Sequence, residues 1–168
     1  MSTRPQLLNE ETVDLNLLFK FADDSTLYAI LDSADAPAVP SKAKELGEER
    51  AVSLYRNGPK EDYWSVAPYL LRLDRDALQW LMAALWDQPW GIFATSSKEM
   101  GSLRAHFRKF LLVEMPDGGK SYFRFYDPRV IGGFLPSCSK SELSDFYGPV
   151  QAFGTPGPER GTAKFWRK

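Results

Sequence analysis

Residues that carry chemistry are scarce in this chain. It has one cysteine, Cys138, and one histidine, His106. A lone cysteine forms no internal disulfide, which fits a reducing compartment. One Cys and one His far apart in sequence, with carboxylates at no ligand spacing, make no metal centre. We therefore expect neither metal nor cofactor. Neither common glycine-rich phosphate loop follows an apolar run. No stretch approaches the roughly 18 apolar residues of a membrane helix. The opening "MSTRPQLLNEETVDLN" carries acids and lacks a signal-peptide core. A formal net charge of -1 gives no drive toward nucleic acid or anionic lipid. The expectation is a cytoplasmic protein without a nucleic-acid or membrane partner.

Aromatic residues are plentiful, with 5 Trp, 7 Tyr and 11 Phe. Some fill a core, and so many also favour a face for a partner, where Trp, Tyr and Arg are enriched. The chain's 168 residues, 43% hydrophobic and 26% charged, suit one globular domain with a sizeable core.

Patterning divides the chain into an expected flexible arm over 1–25, one α/β domain over 26–153 and a Gly/Pro-rich basic tail over 154–168. In the arm a short helix is expected near Leu15 to Phe21. "LYAILD" reads as a buried first strand ending in Asp32. "SKAKELGEE" reads as a short helix stopping near Gly47, "AVSLY" as a strand, and Asn57 to Pro59 as a turn. In "WSVAPYLLRL" the residues Tyr69, Leu71 and Leu73 share one face, with Leu70 and Arg72 on the other. Asp74 caps a helix whose stripe is Ala77, Leu78, Leu81, Met82 and Leu85. "PWGIFATS" is a strand, and Ser96 or Ser97 caps the next helix with Glu99 as a capping-box acid. That helix packs Met100, Leu103, Phe107 and Phe110. "LLVEM", "PDGG" and "KSYFRFY" form a β-hairpin. Two capped helices follow, starting at Asp127 and Ser139. The tail has no expected fixed structure of its own. These elements predict a three-layer α/β sandwich, a mixed β-sheet flanked by helices, with a late hairpin and a short helical C-terminal part.

The segment "FRFYDPRV" concentrates the candidate functional residues. Alternation turns Phe123 and Phe125 inward and leaves Arg124 and Tyr126 outward. Asp127 before Pro128 is a helix start, since aspartate accepts orphan N–H groups and proline at the first position loses no bond. Arg129, on the first turn, can reach back to Asp127 or meet a partner's carboxylate. Nothing beside them supplies both a nucleophile and a base. His106 lies mid-helix between arginines, and Cys138 sits in a loop without a neighbouring base. Arg104, Arg108 and Lys109 are either a solvated helix face or a patch for an acidic partner. Trp90, in "WDQPWGIF", is either core packing at a corner or an exposed anchor.

The ordered segments "LYAILD", "APYLLRLD", "WGIF", "LRAHFRKFLLVEMPDGGKSYFRFYDPRV" and "FYGPVQAF" carry a family likeness. From about Leu27 to Phe153 the chain resembles the effector adaptor/chaperone proteins of bacterial type VI secretion, catalogued as domain of unknown function 4123. The resemblance implies a cytoplasmic protein that is not an enzyme. It implies binding to an effector or toxin protein and loading onto the VgrG spike or a PAAR-like protein. Many relatives continue into a second helical lobe, whereas this sequence runs about fifteen residues past "GPVQAF". For this role the expected partner-binding residues are Arg124, Tyr126, Arg129 and Trp90, with Asp127 orienting an arginine. Two other functions compete: an immunity-like protein that neutralises a toxin, and a phosphoesterase-like enzyme using Arg124, Arg129, Asp127 and His106.

Overall fold

The computed structural model describes residues 8–19, 25–55 and 65–168. The turn expected at Asn57 to Pro59 lies outside them. In chain order come β1 (Asn9–Asp14), a 3₁₀ turn (Leu15–Phe19), β2 (Thr26–Asp32), α1 (Val39–Leu46) and β3 (Ala51–Ser53). Then follow β4 (Pro68–Arg72), α2 (Arg75–Ala84), β5 (Gly91–Ser96), α3 (Met100–Arg108) and the pair β6 (Leu112–Glu114) and β7 (Lys120–Tyr122). The chain continues through α4 (Pro128–Ser137), α5 (Lys140–Tyr147), β8 (Ala152–Pro156) and β9 (Thr162–Arg167).

Strand β2 is the middle of the molecule. It is apolar on both sides, so it needs cover on both. Leu27, Ala29 and Leu31 enter one core cluster, and Tyr28 and Ile30 enter the other. This is the period-two alternation of a strand applied to a fully buried one. Strand β4 divides as its sequence predicts, with Tyr69, Leu71 and Leu73 on one face and Leu70 on the opposite one. Helices α1 and α2 cover the first face through Val39, Ala43, Ala77, Leu78 and Leu81. Helices α3, α4 and α5 cover the second through Leu103, Phe107, Ile131, Leu135, Leu143 and Phe146. The result is the expected three-layer α/β architecture.

The seven strands run in the order β1-β9-β8-β5-β2-β4-β3, and β6 and β7 form a separate two-stranded sheet. Every pairing in the large sheet is antiparallel, which sharpens the expectation of a mixed sheet. At Gly91 (φ 149) a side chain would strike the Ile30 carbonyl of the neighbouring strand, so only glycine lets β5 lie this close to β2.

The tail is the largest departure from expectation. Residues 154–168 hold most of β8 and all of β9, and Phe165 and Trp166 are 2% and 4% exposed. Gly157 and Gly161 flank the bend, where the Gly157 N–H donates to the Thr162 carbonyl at 2.7 Å and closes a hairpin. The arm is corrected in the same way. Strand β1 pairs with β9 from Asn9↔Arg167 to Asp14↔Thr162, so residues 9–14 belong to the sheet, and the short helix expected near Leu15 to Phe21 is a 3₁₀ turn over Leu15–Phe19.

Helix starts largely follow the sequence. The Asp74 side chain accepts from the Ala77 N–H, and Ser139 with Glu142 forms a full capping box. Helix α3 differs. It starts after Glu99, whose side chain makes no cap bond, and Ser96 instead donates to the Pro149 carbonyl at 2.7 Å.

Candidate functional site: a charged corner at the end of β2

Two chain reversals bring the site together. Strand β2 ends in Asp32, whose backbone N–H donates to the Trp90 carbonyl at 2.7 Å and ties the strand end to the start of β5. Its side chain is 1% exposed. One carboxylate oxygen accepts from the Ala34 N–H at 3.1 Å, and the other accepts from Arg124. Asp35, in the following turn, accepts from Arg124 at 3.1 Å and from Arg129 at 3.3 Å.

The second reversal is the strand-to-helix junction. Asp127 caps α4, its Oδ1 accepting from the Arg129 backbone N–H at 2.9 Å. The same carboxylate accepts twice from the Arg129 guanidinium, from Nε at 3.0 Å and from Nη2 at 2.8 Å. Asp127 thus caps the helix and orients the arginine two residues on. Three carboxylates and two guanidiniums form one continuous network. Its members are unequally exposed: Arg129 at 64%, Arg124 at 41%, Asp35 at 35%, Asp127 at 8% and Asp32 at 1%. What the corner presents outward is therefore chiefly a guanidinium pair, with carboxylates beneath it.

The electrostatics follow that layering. Burial pushes the Asp32 carboxyl upward, against the opposing pull of Arg124. Burial also acts to raise Asp127, yet the bonds from Arg129 prevail and hold it below the ordinary carboxylate value. Partial burial acts most strongly on Arg124 and against its charge, yet the bond to Asp32 and the nearby charges of Asp32, Tyr126 and Asp35 together prevail and hold it more firmly charged.

Of the residues expected to meet a partner, Arg124, Asp127 and Arg129 come together here. Tyr126 does not point outward. Strand β7 ends at Tyr122, and the chain turns at Phe125 and Tyr126, so strand alternation no longer applies. Tyr126 is 4% exposed and lies edge-on to Phe125 at 5.4 Å. Burial, followed by the nearness of Tyr55 and Asp32, pushes its hydroxyl pKa far up. Trp90 is likewise no exposed anchor. It is fully buried against Phe93 at 4.9 Å.

The residues that sequence reading missed are Asp32, Asp35, Tyr55 and Tyr122. Tyr122 is 59% exposed and packs tilted against Tyr55 with ring centroids 5.7 Å apart, two residues before Arg124. Only the position of Asp32 at the end of an apolar strand hinted at any of them.

His106 stands elsewhere. It is buried, its Nε2–H donates to the Phe146 carbonyl at 2.7 Å, and its ring packs on Phe107 and Phe110. Both Asp127 oxygens are occupied by Arg129, so no carboxylate–imidazole pair forms at the corner. Among the described residues no group of three or more His, Cys, Asp and Glu could hold a metal ion. None of their helices is long and apolar enough to cross a membrane.

Residues 27–145 match a family described as a domain of unknown function. No curated protein and no solved structure matches the chain.

Proposed function

The chain belongs to the domain of unknown function 4123 family, and from that premise we propose that it is a non-enzymatic adaptor. It acts in the cytoplasm as a chaperone for a type VI secretion effector. It binds the effector's N-terminal loading region and helps deliver it to the VgrG spike or a PAAR-like protein. The observation that carries this reading is the charged corner. Two exposed guanidiniums are fixed in place by the buried Asp32 and the helix-capping Asp127, next to an exposed tyrosine. Arginine and tyrosine are the residue types that dominate the energy of protein interfaces. Side chains already held by their own carboxylates lose little freedom on meeting a partner. A guanidinium that gives one edge to Asp32 or Asp127 keeps N–H groups and a planar face for the partner.

The test is co-purification with the protein encoded beside it, comparing the wild-type chain with Arg129→Ala and Arg124→Ala. Both variants are expected to fold and to bind at least about tenfold more weakly. Undiminished binding by both removes the corner from the interface. Deleting the gene separates delivery from neutralisation: an adaptor's loss abolishes secretion of the effector, whereas an immunity protein's loss abolishes self-protection.

A further inference from the structure

The β6–β7 hairpin stands apart from the large sheet, and all six residues of its strands are exposed. Among the described residues seven large apolar side chains are exposed. Four of them, Leu112 (49%), Val113 (39%), Met115 (44%) and Tyr122 (59%), lie on this one hairpin. Exposed apolar residues scattered singly are ordinary, but four on one ribbon are not.

Its backbone is open as well. The Met115 N–H donates to the Gly119 carbonyl and the Phe123 N–H to the Leu111 carbonyl, at 2.7 and 2.9 Å. With the register Val113↔Ser121, odd-numbered residues bond across the hairpin. The backbone groups of Leu112 and Glu114 on one edge, and of Lys120 and Tyr122 on the other, therefore point away from it. Two strands alone are marginal in water, and a third strand makes such a sheet stable.

We propose that this hairpin receives an extended segment of the partner protein as a third strand, a segment alternating apolar residues with at least one carboxylate, which reaches Arg124 and Arg129. Continuity places the two surfaces together. Tyr122, two residues before Arg124 in the chain, packs tilted against Tyr55 with ring centroids 5.7 Å apart. Charge then selects the occupant, since the exposed members of the corner are guanidiniums and its most buried members are carboxylates. Backbone bonds supply affinity, and the alternating side chains with the carboxylate supply specificity.

The inference rests on the reading of the corner as a partner-binding surface, and its test separates the two. The probe is a twelve-residue peptide of alternating valine and threonine with two glutamates, titrated by fluorescence anisotropy. Its counterpart carries lysine in place of glutamate. The acidic peptide is expected to bind, and the lysine peptide about tenfold or more weakly. Lys120→Pro removes an outward N–H from the same edge as Tyr122, and Tyr122→Ser removes an exposed ring. Each is expected to weaken binding about tenfold at an unchanged melting temperature. Failure of the acidic peptide to bind, or unchanged binding by both hairpin variants, overturns strand addition. Loss in the hairpin variants but none in Arg129→Ala leaves strand addition standing and overturns the role of the corner. A wild-type dimer that Tyr122→Ser makes monomeric would identify the occupant as a second copy and overturn the proposal.

Discussion

Asp127 serves three donors with two oxygens: the Arg129 backbone N–H and two nitrogens of its guanidinium. Removing the carboxylate therefore unties the start of α4 and frees Arg129 at once. Asp127→Ala is expected to lower stability by about 1 kcal/mol, the usual worth of an N-cap, as measured by urea unfolding. Because the folded carboxyl titrates below the ordinary 3.8, the ionised group stabilises the fold. The difference between wild type and variant should be full above pH 3.8 and fade as pH falls through the folded value. His106 has the opposite protonation chemistry and the same direction of effect. Burial lowers its pKa beneath 6.5 although the Phe146 bond opposes this. Below pH 6.5 the unfolded chain takes up a proton that the folded chain refuses. Stability should fall as pH drops from 6.5 to the folded value and stay level above it. His106→Gln keeps a donor for Phe146 and should flatten that slope in denaturant titrations run at successive pH values.

Among the elements, the strands of the large sheet depend on close approaches that side chains would spoil. Gly91→Ala places a methyl against the Ile30 carbonyl and fixes an unfavourable φ. The backbone penalty alone is about 1–3 kcal/mol, and the clash adds to it, so a large drop in melting temperature is expected. The sheet's two edges are guarded differently. At β3 the Arg104 guanidinium donates to the Ser53 and Tyr55 carbonyls at 2.8 and 3.3 Å, occupying groups that a stray strand would seek. At β1 the guard is charge: Glu10 and Glu11 lie on that edge, paired with Lys164 and Arg167 of β9.

The central elements were legible from sequence because their signals are local. The alternation of β2 and β4, the stripe of α2, the caps at Asp74, Asp127 and Ser139, and the Asp-Gly turn all lie within a few residues. What escaped notice depends on distant partners. Strand β1, "NEETVD", shows no apolar alternation because five of its six residues are exposed. Its identity as a strand comes from β9, at the far end of the chain. The candidate site divides likewise. The Asp127–Arg129 pair could be read at a spacing of two, whereas Asp32 and Arg124 are 92 residues apart. Tyr126 was misplaced because strand alternation was extended through a turn.

At the scale of the whole molecule, the segments outside the family match contribute three of the seven sheet strands. They also supply Phe153, Phe165 and Trp166 to the two clusters. Trp166→Ala, which empties a buried site and removes the indole N–H that donates to Glu10 at 3.1 Å, should cost about 3–5 kcal/mol. Deleting residues 157–168 removes β9, leaves β1 without a neighbour and turns β8 into an edge strand held only by β5. The shortened chain is expected to lose its near-ultraviolet circular dichroism and to aggregate. A soluble shortened chain with native spectra would show that the five remaining paired strands suffice.

The pairing of residue 9 with residue 167 also sets an order of events during synthesis. Strand β1 leaves the ribosome before any other strand of its sheet, yet its partner is made after all the others. Until residue 167 emerges, an acidic, solvent-compatible segment must wait unpaired while β2, β4 and β5 assemble beside it. An apolar strand left waiting so long would invite aggregation. The polarity that hid β1 from sequence reading is thus what makes the delay tolerable for the nascent chain.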